Sequence, residues 1–175
     1  MKSVLSWLGR RAEAPRSLAG LLALGATVAV GASIVPHTLR QRAEASDRVA
    51  LVQVISQRVE ETPGAPYPIK TYTTVIVGND FIGRGPSELT IVQIGGTLGA
   101  TSMEVPGDAK FKIGETAVVF ITCKQAADRC HLVALGAGKL DVEGEQIFVQ
   151  DLFTSKWSKK SFQQFRSELI SGVAR

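Results

Sequence analysis

The sequence predicts a mainly β fold, a small antiparallel barrel or sandwich, with a short helix before it and an amphipathic helix after it. Three observations carry this expectation. Short runs of β-branched and aromatic residues recur between turns marked by glycine and proline. No helical period lies between those runs, which argues against a parallel α/β sheet. Only the C-terminal segment changes to a period near 3.6.

The chain begins with a segment of a different kind. Lys2, Arg10, Arg11 and Arg16 stand against Glu13, and LAGLLALGATVAVGASIV (18–35) follows without a charge. A basic start, an apolar run and small residues at its end predict a signal peptide over 1–32, with Val30-Gly31-Ala32 placing cleavage after Ala32. The alternative is an uncleaved inner-membrane anchor through 18–35, since eighteen residues just reach across a bilayer. Arg10-Arg11 does not make a twin-arginine signal, because Ala12, Glu13 and Ala14 follow where apolar residues are wanted. Export implies a periplasmic or secreted protein. The formal charge of +4 resides largely in this segment. Beyond residue 32 there remain sixteen basic and fifteen acidic residues, a net of +1. A basic surface for nucleic acid is therefore not expected.

The barrel domain is expected over 36–150. Leu39 and Ala43, four apart in PHTLRQRAEASDRV, predict a short helix. In RVALVQVISQRVEE (48–61), Val49, Leu51 and Gln53 alternate with Ala50, Val52 and Val54. A strand apolar on both faces belongs in a closed barrel or at a sheet centre. TPGAPYP (62–68) breaks the chain. Strands are expected at 69–79 and 88–96, separated by the turn NDFIGRGPS. Gly95, Gly96 and Gly99 open a flexible loop through residue 114. Further strands are expected at 116–122, 131–136, 139–142 and 146–149, with Glu143-Gly144 as a two-residue hairpin turn. In the C-terminal segment 151–175, Phe162, Phe165, Leu169 and Val173 form one helical face. Ser161 and Gln164 form a capping box. The expectation is a helix laid over an open end of the barrel, with KWSKK (156–160) as a solvated turn. The sharper alternative is a partner- or membrane-binding helix.

Little in the chain points to catalysis. The two histidines are His37 and His131. Zinc needs three or four converging ligands, and adjacent Cys130 and His131 in a strand point to opposite faces. A redox pair wants two intervening residues at a helix start, and Cys123 and Cys130 have six between them. Those two cysteines end one apolar run and begin the next, so antiparallel pairing brings them within bridging distance. A structural disulfide in an oxidising compartment is the reading. GRG (83–85) and GGTLG (95–99) lack the Lys-Ser/Thr ending and following helix of a phosphate loop. No catalytic residue, metal or cofactor is expected.

AEASDRVALVQVISQRVEE (43–61), PGDAKFKIGETAVVFIT (106–122) and LVALGAGKLDV (132–142) resemble a group of uncharacterised exported bacterial domains, some of which precede matrixin-type metalloproteases. The shared pattern is a helix ending in Ala/Ser-Asp, a Val-rich strand, the turn Ile82 to Gly85, and a strand ending at Gly95-Gly96. Pro106-Gly107, Phe111, Gly114-Glu115 and the Gly136 to Lys139 close complete it. The resemblance covers about residues 38–150 and rests on turn and core positions. It implies an OB-like barrel of the netrin-module or tissue-metalloprotease-inhibitor type. Those inhibitors grip zinc with an N-terminal cysteine, which this chain lacks.

The expected activity is that of a non-enzymatic binding module in the cell envelope, its partner an envelope or extracellular protein. Membrane contact is expected only if the N-terminal segment stays uncleaved. Loops on a rigid barrel carry recognition, so the expected surface is Arg84 in the 79–87 turn with Gly95, Gly96, Thr97, Leu98, Gly99 and Met103. The rivals are a regulator or inhibitor of a secreted protease and a small hydrolase using His131.

Overall fold

A computed structural model describes residues 38–126 and 128–173 of the chain. The expected leader 1–32, its cleavage site and His37 lie outside these residues. The first element is α1 (Leu39–Glu44), capped reciprocally by Thr38 and Gln41. The strands follow as β1 (Arg48–Glu61), β2 (Ile69–Ile82), β3 (Glu88–Ile94), β4 (Gly96–Leu98), β5 (Thr101–Met103), β6 (Thr116–Ala126) and β7 (Arg129–Leu132). A 3-10 turn (Leu135–Gly138) leads to β8 (Lys139–Glu143), β9 (Gln146–Gln150), β10 (Trp157–Ser161) and finally α2 (Phe162–Val173).

Five strands close into a barrel in the order β1-β2-β3-β7-β6 and back to β1. Four of the five pairings are antiparallel, and β3 meets β7 in parallel through Thr90↔Arg129 and Ile91↔Cys130. The parallel joint is forced by counting. Strand directions cannot alternate all the way around an odd-numbered ring, so at least one neighbouring pair must run the same way. Register shifts in β1 at Val49/Ala50, Leu51/Val52 and Val54/Ser56 are bulges of the kind that bend a strand around a small barrel.

The alternation in β1 distributes its residues between two cores. Ala50, Val52 and Val54 face the barrel interior with Val75, Leu89, Ile91, Val119, Ile121, Cys130 and Phe111. Val49 faces outward into a second core with Leu39, Ala43, Phe81, Val118, Phe120, Leu140, Ile147, Val149, Phe165 and Leu169. β6 is the shared wall. Its continuous run AVVFI (117–121) is fully buried because both of its faces are covered. β8, β9 and β10 extend the sheet from β6 beyond the barrel.

α2 therefore packs on the outward wall of the barrel, not over an open end. Phe165 meets Phe81 and Phe120 edge-on, with ring centroids 5.1 and 6.4 Å away. Its N-terminus carries the capping box, with Ser161 N–H donating to Gln164 Oε1 and Gln164 N–H donating to Ser161 Oγ. Four further expectations shift. WSKK of the expected turn KWSKK belongs to β10, an edge strand paired with β9, and only Lys156 stays in the loop. The two residues between β8 and β9 are Gly144-Glu145, one later than expected, because Glu143 still pairs with Gln146. The strand expected at 131–136 stops at Leu132, since Ala134 and Leu135 take φ of 59° and 51°. The loop after Gly96 contains the hairpin β4–β5.

Candidate binding cleft

The outer half of β1, from Ile55 onward, loses its apolar alternation and leaves the barrel as a ribbon with the start of β2. Where that ribbon meets the end of β3, the chain must reverse sharply. Gly95 and Gly96 make the reversal with φ of +101° and +138°, a region that side chains other than glycine rarely enter. The contacts are equally exclusive. A Cβ on Gly96 would stand 2.6 Å from Thr71 Oγ1 and 2.9 Å from Val59 Cγ1, and one on Gly95 would stand 2.6 Å from the Met103 carbonyl oxygen. β4 is thus laid directly on β1 and β2. Thr71 Oγ1 donates to the Gly95 carbonyl (2.7 Å), and Gln93 Nε2 donates to the Ala109 carbonyl (2.8 Å), which pins the following segment.

Between the ribbon, β4–β5 and residues 104–111 lies an open cleft of about 570 Å³. Val59, Ile94, Met103, Val105 and Phe111 give it apolar lining, while Gln57, Arg58, Thr97, Ser102, Asp108 and Lys110 give it polar lining. Its cations are paired. Arg58 meets Glu60 at 2.7 Å and lies over the Tyr72 ring, and Lys110 meets Glu104 at 2.9 Å. The hydrogen bond and charge of Lys110 lower the Glu104 pKa, and Glu104 raises that of Lys110 in return. Both groups are fully exposed, so the pair steers more than it stabilises.

Of the residues expected to bind, Gly95, Gly96, Thr97 and Met103 line this cleft. Leu98 and Gly99 sit at the β4–β5 tip outside it, with Leu98 exposed. Arg84 belongs elsewhere. β2 pairs with β3 from Lys70↔Ile94 to Ile76↔Glu88 and runs on to Ile82, so the turn expected at 79–87 shrinks to 83–87 and lies at the opposite end of that hairpin from the glycine loop. There Arg84 and Arg166 line a second cleft of about 580 Å³ with Gly83 and Gly85. Its wall is the buried guanidinium of Arg48, which donates to both Asp80 carboxylate oxygens (2.6 and 3.0 Å) and to the Pro86 carbonyl (2.9 Å). The single surface expected from sequence is two surfaces. Gln57, Arg58 and Val59 join the lining without having been expected there, although the fading alternation of ISQRVEE marks the place where β1 becomes exposed.

Cys123 and Cys130 are disulfide-bonded across the β6–β7 hairpin, with Cα atoms 4.2 Å apart. Thr122 Oγ1 and the Cys123 N–H both donate to Asp47 Oδ2 beside the bridge. Cys130 is buried in the barrel, whereas His131 points outward and donates from Nδ1 to the Val92 carbonyl at 3.1 Å. Among the described residues, no group of three or more His, Cys, Asp or Glu is arranged to hold a metal ion.

The ring order with its one parallel joint and the lateral cleft define an OB-like barrel with an appended sheet and helix. No protein-family model matches the chain, and no curated protein matches it.

Proposed function

We propose that the chain is an exported interaction module that binds an envelope or extracellular protein through the cleft between β1, β2, β3 and residues 95–111. The observation that carries the reading is the way this cleft is held. Its backbone is fixed by Gly95, Gly96, Thr71 and Gln93, so a partner meets a preformed surface and little ordering entropy is lost on binding. Its chemistry supports the same reading. Apolar lining with interspersed polar groups suits a peptide segment. Each lysine or arginine in the lining is matched by a carboxylate, which offers a phosphate backbone little net attraction. The lining carries no histidine or cysteine, so recognition accounts for its residues more simply than hydrolysis does.

A photocrosslinking residue at Arg58, installed in the exported chain, tests this. The expected result is a discrete protein adduct from the envelope fraction, absent when the same residue replaces the exposed Ile170 on α2. Equal labelling at both positions, or none at Arg58, sinks the cleft as a binding surface. If the adduct is a secreted protease, the module's role is regulatory.

A further inference from the structure

We propose that the β9–β10 hairpin is a lipid-contacting tip that rests on an anionic membrane surface. Its loop, residues 151–156, is closed by the Asp151 N–H donating to the Lys156 carbonyl at 2.9 Å. Asp151 Oδ1 accepts from the N–H groups of Phe153 (2.9 Å) and Thr154 (3.0 Å). The loop's one carboxylate is therefore engaged by its own backbone. Thr154, Ser155 and Lys156 are exposed, and two aromatic rings stand out among them. Phe153 is 65% exposed and Trp157, at the base of the hairpin, is 62% exposed. They are the two most exposed aromatic residues among those described.

The surroundings favour lipid over a protein partner. Lys156 and Lys159 flank Trp157 in sequence, and Lys159 lies over the Phe148 ring at 4.8 Å. Aromatic rings with lysines beside them match the level of lipid headgroups, where rings sit among glycerol groups and ammonium groups reach phosphate. The position in the chain agrees. Thr38 and Leu39 share a cleft of about 250 Å³ with Leu152 and Phe153. In sequence, the uncharged run 18–35 ends three residues before Thr38. Were that run to stay uncleaved, it would tether the chain to a bilayer at that separation in sequence. The proposal is independent of the cleft and of whatever occupies it.

The test uses the full chain with Trp7→Phe, which leaves Trp157 as the sole tryptophan. The protein is reconstituted into phosphatidylcholine–phosphatidylglycerol vesicles whose acyl chains carry bromine. Trp157 emission should be quenched by the bromolipid and shielded from iodide in the water. Phe153→Ser should restore much of the emission. Lys156→Gln and Lys159→Gln should each weaken the contact about fivefold. Absence of quenching overturns the proposal. So does quenching that ignores all three substitutions, because the N-terminal run alone then accounts for proximity. Quenching equally strong in phosphatidylcholine alone overturns the assignment to an anionic surface.

Discussion

Gly96 shows how much one missing side chain can determine. Its φ of +138° and the closeness of Thr71 and Val59 leave no room for a methyl group. Gly96→Ala should cost roughly 1–3 kcal/mol, the range for strained backbone at such a position. It should also lift β4 from the ribbon. A lowered urea midpoint together with loss of the Arg58 crosslink is the expected pair of results. Asp151 acts through charge. Hydrogen bonds from the Thr154 and Phe153 N–H groups hold its pKa below the usual aspartate range. The native carboxylate thus binds a proton less readily than the unfolded one. Its contribution is fully present above the ordinary aspartate pKa and is lost as pH falls through the lowered native value. The protection factors of the Phe153 and Thr154 amides, each rate taken relative to the intrinsic rate at the same pH, should accordingly fall in acid while those of the barrel amides hold.

Elements differ in how openly the sequence announces them. The helical face of α2 is plain from Phe162, Phe165 and Leu169, because apolar residues at steps of three and four share a side of a helix and would scatter across both faces of a strand. Where that face docks is not written locally, since Phe81 and Phe120 come from strands far away in the chain. Phe165→Ala removes the ring that joins them, and should cost about 3–5 kcal/mol as a buried aromatic deletion, measured as a shift of the thermal or urea transition. β10 was illegible for the opposite reason. Edge strands carry lysines and little apolar alternation because one side must refuse further pairing, so KWSKK has the composition of a turn. The three-residue strands β4 and β5 are too short for any period to register. Sequence did mark both motifs around the 3-10 turn as glycine turns, but not that they touch. Gly136 lies against Gly107, its N–H donating to the Gly107 carbonyl at 2.9 Å, and a Cβ there would come within 2.5 Å of that oxygen.

The described domain is organised around strands that serve two cores, β2 among them with Val75 in the barrel and Phe81 in the outer layer. β1 and β6 put alternate residues into the barrel and into the layer beneath α1 and α2, so neither core can dissolve without exposing the other. The doubly apolar pattern of β1 made a closed barrel legible, and the strand count then dictated a parallel joint that residue patterns alone do not display. That joint is short, with two registered residue pairs against twelve between β1 and β2. A ring fails first at its weakest contact, so the barrel has a built-in lip where β3 can part from β7. The bridge to Cys123 ties Cys130, a member of that joint, to β6. Of the two sides, β3 is then the one free to swing. Hydrogen exchange should find the Thr90 N–H, which donates to the Asp128 carbonyl, opening sooner than its neighbours paired to β2. Reducing the bridge should release β7 as well, and hydrogen exchange at Cys130 should then quicken relative to the oxidised protein.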